Sequence, residues 1–265
     1  HIDPETMTIN PDLIERSLSE RTRAIVPVHL YGRVVAMEPL LSVARRHGLK
    51  VVEDAAQAHG ARLKGTAAGA FGDAATFSFY PGKNLGAYGD AGAIVTEDDD
   101  LAAWARKFAN HGRSTKYAHE FEGINSRLDG LQAAVLSVKL EHLDRWCRLR
   151  REHARTYCRL LERVESVVCP KLPTEGEHAF HLFVIRAQRR DALREHLASK
   201  GIATGIHYPQ TMAELPAYRD GWNAERDFPV ATELRRQILS LPLYPEMGPG
   251  RIEEISSAIE DFYRE

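Results

Sequence analysis

The sequence predicts an α/β protein with a mostly parallel sheet in a large N-terminal unit, residues 1–145, and a smaller α/β unit, residues 146–265. Two observations carry this. Apolar runs rich in β-branched residues alternate with amphipathic stretches at helical spacing, the strand–helix–strand rhythm of a parallel sheet. The chemistry-bearing residues of the first half fall where those runs end, outside the carboxyl ends of the strands. A chain of 265 residues is long enough for one large or two ordinary domains with a real core.

In chain order, Asn10 as N-cap and Pro11 at the first helical position open a helix through about Ser19. Ala24 to Leu30 reads as a buried strand. Met37 to His47 has helical spacing and stops at Gly48, a natural residue for the position after a helix. Lys50 to Val52 is a short strand that delivers Glu53 and Asp54. Ala74–Phe79 and Ala91–Thr96 are strands flanking a lysine turn, and Glu97 with Asp98, Asp99 and Asp100 reads as helix-capping acid rather than a metal site. Leu128 to about Val164 reads as one long helical segment. The arginines of its second half (Arg145, Arg148, Arg150, Arg151, Arg155, Arg159, Arg163) suggest a solvated, salt-bridged face. Val164 to Pro170 leads into the smaller unit. There Phe180–Ala187 is a strand, Arg190–Lys200 a helix and Ile202–Ile206 a strand. A helix near Val230–Ile238, a strand at Leu239–Tyr244 and a last helix from about Arg251 follow.

A formal net charge of −2 gives no electrostatic case for nucleic acid. No apolar run approaches the length of a membrane span. Cys147, Cys158 and Cys169 form no Cys-x-x-Cys pair, and their odd number argues against a disulfide framework, so a reducing cytoplasmic setting is the default. The chain does not open on methionine, and His1-Ile2-Asp3-Pro4 leads almost directly into a helix start. A longer natural N-terminus is therefore expected.

The chemistry concentrates in Ser78–Gly86, where an apolar run ends in Pro81-Gly82 and Lys83 stands on the turn. Desolvation of such a lysine disfavours its ammonium and frees an amine that attacks carbonyls, as a Schiff-base lysine must. Most lysines are instead solvated loop residues. A phosphate-binding Walker loop fails on spacing, since Phe77 and Asn84 stand where glycine and Ser or Thr are needed. Asp54, Gln57, His59, Ser78 and Lys83 together suit pyridoxal 5′-phosphate. Asp54 would keep the pyridine nitrogen protonated, Gln57 would hydrogen-bond the ring oxygen, Ser78 would donate to the phosphate and Lys83 would hold the aldehyde carbon. Singly, Asp54 reads as well as a helix cap, Ser78 as an ordinary strand-end hydroxyl and His59 as a packed histidine.

Val52–Ala61, Ser78–Gly86 and Gly123–Ala134, with Pro27–Gly32 and Leu239–Pro245, resemble the DegT/StrS-type nucleotide-sugar aminotransferases. The resemblance is collinear over essentially the whole chain. It implies fold type I of the pyridoxal-phosphate-dependent transferases, Lys83 as the Schiff-base lysine, and Asp54, Gln57 and Ser78 as cofactor ligands. It further implies that Asn125 reaches the phosphate of a neighbouring subunit's cofactor and that Arg127 approaches the same partner site, in a homodimer with shared active sites. Tyr80, His207 and Tyr208 match residues lining the sugar pocket, and Lys116 could face the nucleotide diphosphate. The implied reaction moves an amino group from an amino acid, by analogy L-glutamate, to a nucleotide-linked keto-sugar. His111–Tyr117 and Gly123–Leu128 look closer to enzymes that aminate C-3 than C-4, and lysine at position 83 favours transamination over the dehydratase branch.

The family's domain begins well before the point matched by Ile2. The upstream region supplies a phosphate-cradling loop, an aromatic residue on the cofactor ring and part of the large sheet. A chain truncated there would expose strand edges and apolar faces. Two alternatives stand beside the enzyme: a non-catalytic truncated relative keeping the sugar-nucleotide pocket and dimer surface, and a dinucleotide-binding oxidoreductase, disfavoured because no Gly-x-Gly-x-x-Gly follows a strand.

Overall fold

A computed structural model describes residues 1–264. Its first unit is built on a four-stranded sheet of order β1-β2-β5-β6, with β1 Ala24–Ile25, β2 Lys50–Asp54, β5 Ala74–Ser78 and β6 Gly92–Val95. β1 and β2 pair parallel, as do β2 and β5 with Asp54 opposite Thr76, whereas β6 runs antiparallel to β5. Between β2 and β5 a two-stranded hairpin joins β3, Arg62–Leu63, to β4, Thr66–Ala67. Helix α1, Met37–Arg46, buries Met37, Leu40, Val43 and Ala44 on one face, and the chain leaves it at Gly48 with φ +62°. Helix α2, Asp99–Phe108, is capped by Asp98, whose carboxylate accepts from the Leu101 N–H at 2.9 Å.

Helices α3, Gly130–Leu140, and α4, Leu143–Leu161, lead into the second unit. This unit holds the antiparallel sheet β7-β8-β9, with β7 Val167–Val168, β8 Phe183–Ala187 and β9 Ile238–Leu241. Helices α5, Arg190–Ser199, α6, Ala224–Asp227, α7, Pro229–Leu234, and α8, Arg251–Arg264, complete it. Its core joins Tyr157, Phe183, Leu193, Leu197, Leu239 and Ile255, with the Tyr157 and Phe183 rings stacked at 4.8 Å.

Several expectations are corrected. Asn10 and Pro11 open two short 3₁₀ turns, Pro11–Leu13 and Glu15–Ser17, rather than a helix to Ser19. The strand expected to Leu30 is regular only over Ala24–Ile25, since Pro27 has no N–H to donate, though Val28 still bridges Asp54 in parallel before the chain turns at Leu30–Gly32, where Tyr31 has φ +59°. The long helical segment breaks between Leu140 and Leu143, and Ile202–Ile206 forms one bridge, Gly205 to Ser240, in place of a strand. The arginine-rich face is not wholly solvated. The Arg150 guanidinium is buried against the carbonyls of Phe180, His181 and Leu243, and Arg151 pairs with Glu177 at 2.8 Å. The first sheet leaves Val26, Val28, Ile94 and Val95 exposed.

Candidate active site

Parallel pairing of β2 with β5 brings the ends of both strands to one edge, so Asp54 and Ser78 lie on neighbouring strand ends. Glu53 fixes this end of β2 from below. Its carboxylate, with none of its side chain exposed, accepts from His29 Nε2 and from the backbone N–H groups of Gly69, Phe71 and Gly72 at 2.7–2.8 Å. Burial pushes that carboxyl up, and these hydrogen bonds pull it below the usual carboxylate range.

After β5 the chain makes the lysine turn. Ser78 Oγ accepts from the Tyr80 N–H at 3.3 Å, the Lys83 N–H donates to the Tyr80 carbonyl at 2.9 Å, and the Ala87 N–H returns to Phe79 at 2.7 Å. Gly86 lies so close to the turn that a Cβ there would sit 2.4 Å from the Pro81 carbonyl oxygen, so only glycine closes it. Lys139 of α3 donates to the Gly86 carbonyl at 2.7 Å. Lys83 is half-buried. Desolvation lowers its ammonium pKa, and the charge of Asp54 opposes that shift from within electrostatic range.

Gln57 is 7% exposed and bridges the units. Its Oε1 accepts from the Tyr31 N–H at 2.6 Å and its Nε2 donates to the Tyr208 hydroxyl at 3.1 Å. The Tyr31 hydroxyl donates to the His207 carbonyl, and His207 Nδ1 meets Ser240 Oγ at 2.8 Å. His59 is packed between Phe77 and Phe79, and among the described residues neither of its ring nitrogens has a partner within good hydrogen-bond geometry, the Ser78 backbone coming nearest to one. Burial first, then the Lys83 charge, hold His59 at about 4 and His181 at about 3. Desolvation also lowers His207. The imidazoles around Lys83 are therefore neutral at neutral pH and do not add to its charge.

Asp54, Gln57, Ser78, Lys83, His207 and Tyr208 thus gather at one edge, with Tyr80 on the lysine turn and 59% exposed. Asn125 and Arg127 do not join them. They are exposed beyond α2, where Arg127 Nε donates to Asn125 Oδ1 at 3.1 Å and Asn125 bridges to Asn110. Lys116 is exposed on the loop between them and α2, its ammonium over the Tyr117 ring.

Sequence reasoning missed four residues. Asn84 is 5% exposed and ties the lysine turn to Ala179 and His181. His181 also lines a cavity of about 260 Å³ with His207 and Ser240. Arg150 pins the carbonyls of the same segment. Tyr31 fixes Gln57 and His207 from a strained backbone position. Tyr31 and Asn84 stood inside the quoted motifs. His181 and Arg150 had no local signal.

Residues 1–260 match the profile of the DegT/DnrJ/EryC1/StrS aminotransferase family. A pleiotropic regulatory protein of Geobacillus stearothermophilus is 47% identical over 265 residues, 99% of this chain and 71% of that protein. A dTDP-3-amino-3,4,6-trideoxy-alpha-D-glucose transaminase of Streptomyces venezuelae is 45% identical over 96% of this chain and 67% of its own length. The crystal structure of S. venezuelae DesV in complex with a ketimine intermediate superposes with a TM-score of 0.96 at 43% identity, over 100% of this chain and 71% of that one. With a desolvated lysine on the turn after β5 and a carboxylate within electrostatic range at the end of β2, this chain belongs to the DegT/DnrJ/EryC1/StrS aminotransferase family, fold type I enzymes that depend on pyridoxal 5′-phosphate.

Proposed function

We propose that the chain moves an amino group from L-glutamate to C-3 of a keto-sugar linked to a nucleoside diphosphate, as a cytoplasmic homodimer. The observation that carries this is a desolvated Lys83 amine, on the turn that follows β5, within electrostatic range of the Asp54 carboxylate at the end of β2. The S. venezuelae relative, named for a 3-amino sugar, supports the position of amination.

The residues present suit pyridoxal phosphate. Lys83 would hold its aldehyde carbon, Asp54 its ring nitrogen, Gln57 its ring oxygen and Ser78 its phosphate. When bound, the cofactor supplies an electrophilic carbon and a cationic ring that takes up the electron pair of a broken C–H bond. Once an incoming donor amine had displaced it, Lys83 Nζ would be free to take the proton from the donor's Cα and deliver it to the carbon it had held, and its lowered pKa brings it closer to a working base at neutral pH. Neutral His59 and His181 keep further positive charge away from that amine. Tyr80, His207 and Tyr208 border the space for the sugar, with Lys116 toward the diphosphate. Asn125 and Arg127, exposed near Ile124 and Leu128, serve the second copy's site, and the exposed Leu131 and Val138 of α3 suit a subunit interface. No helix among the described residues is long and apolar enough to cross a membrane.

The test is borohydride reduction of the protein incubated with pyridoxal phosphate. A pyridoxyl adduct is expected on Lys83 by peptide mass and is lost in Lys83→Ala. Release of 2-oxoglutarate from L-glutamate and amination of a nucleotide-linked 3-keto-sugar follow. Absence of the adduct would overturn the reading, and calorimetric binding of nucleotide sugar without cofactor uptake would favour the non-catalytic alternative.

A further inference from the structure

Two of the three cysteines meet in space although the sequence sets them in different elements. Cys158 lies near the end of α4, and Cys169 directly follows β7 after the short turn 162–166. Their thiols are within hydrogen-bonding reach of each other, and Cys158 Sγ is also 3.9 Å from the carbonyl of Pro170, the residue after Cys169. Both side chains are half-buried against the core of the second unit, so the sulfurs converge on rigid elements while solvent still has access. The third thiol differs. Cys147 is 1% exposed and donates to the His59 carbonyl at 3.3 Å.

We propose that Cys158 and Cys169 are a redox modification site that closes into a disulfide when the protein meets hydrogen peroxide. The Cys158 side chain lies against the backbone segment that carries Cys169, and both pack on the same core, the convergence that a disulfide demands. The hydrogen bond between the two thiols favours the thiolate of the one that ionises first, and it draws the Cys158 thiol down against burial. Cys158 attacks one peroxide oxygen, the O–O bond breaks, and hydroxide leaves to take up the thiol proton as water. The sulfur of Cys169 then attacks the resulting sulfenic acid. Its S–O bond breaks, and the oxygen leaves as a second water with the Cys169 proton. Two thiols are oxidised and one peroxide is reduced.

The experiment treats the folded protein with a small excess of hydrogen peroxide and counts its thiols. Of the three cysteines, one free thiol is expected to remain. The intact mass should fall by two hydrogens, one peptide should join Cys158 to Cys169, and dithiothreitol should restore the starting state. Cys169→Ser should instead gain oxygen on Cys158, and Cys158→Ser should form no disulfide within the chain. A mass gain of oxygen with no cross-linked peptide in the wild-type protein would overturn the proposal, as would a disulfide involving Cys147. The readout is independent of transaminase activity.

Discussion

Asn84 donates its side-chain amide to the carbonyl of Ala179 across 2.9 Å, and its Oδ1 accepts from His181 Nδ1 at 3.3 Å. The residue after Lys83 is thereby fastened to the second unit. Asn84→Ala leaves a buried carbonyl and an imidazole N–H without partners. We expect a loss of about 2 to 3 kcal/mol, read as a lower urea midpoint at unchanged slope. An unchanged midpoint would show that the contact does not hold the turn.

Asp54 and Lys83 can be separated by their chemistry. Asp54→Asn keeps the side-chain shape and removes the charge. Reduction with borohydride should still mark Lys83, whereas the rate of the glutamate half-reaction should drop about a hundredfold or more. A variant that transaminates at the wild-type rate would remove Asp54 from its assigned role.

Stability should fall on the acid side. His59 folded binds a proton only near pH 4 and His181 near pH 3, while the unfolded imidazoles bind one near pH 6.5. Between these values the unfolded chain carries more protons, so stability is full above the unfolded pKa and is lost as pH falls. His59 alone contributes on the order of 3 kcal/mol by pH 4. Thermal melts of the wild type and His59→Leu should show a shallower slope between pH 6.5 and 4 in the variant, and parallel curves would argue against a buried neutral His59.

Glu53 is held by four donors in a site with no solvent exposure. Glu53→Gln turns an amide N–H toward donors and leaves His29 without its charged partner. A cost of about 3 kcal/mol or more is expected, measurable by chemical denaturation. A loss below 1 kcal/mol would mean that the loop Gly69–Gly72 can re-pair elsewhere.

Much of this was readable from residue order. The strand–helix–strand pattern around Met37–His47 and the position of Asp54 and Ser78 at strand ends follow from periodicity and burial, which act over a few residues. The lysine turn was legible because Pro81, Gly82 and Gly86 leave the backbone little choice. What could not be read were contacts across long stretches of chain. Arg150 resembled its solvated neighbours, and only the fold shows that it alone turns inward to three carbonyls. His181 and Asn84 are far apart in sequence, and no local pattern pairs them. The break at Glu141-His142 carries no proline or glycine, so a continuous helix was the better local reading there.

Helix α4 has one further consequence. Leu143 and Cys147 pack with Leu85, Ala87 and Leu136 beside the lysine turn, while Ala154, Tyr157 and Leu161 belong to the core of the second unit. One rigid rod is therefore rooted in both halves, and neither half can melt without withdrawing support from the other. Calorimetry should register a single endotherm, and a substitution at Tyr157 should loosen the distant amine as surely as one beside it.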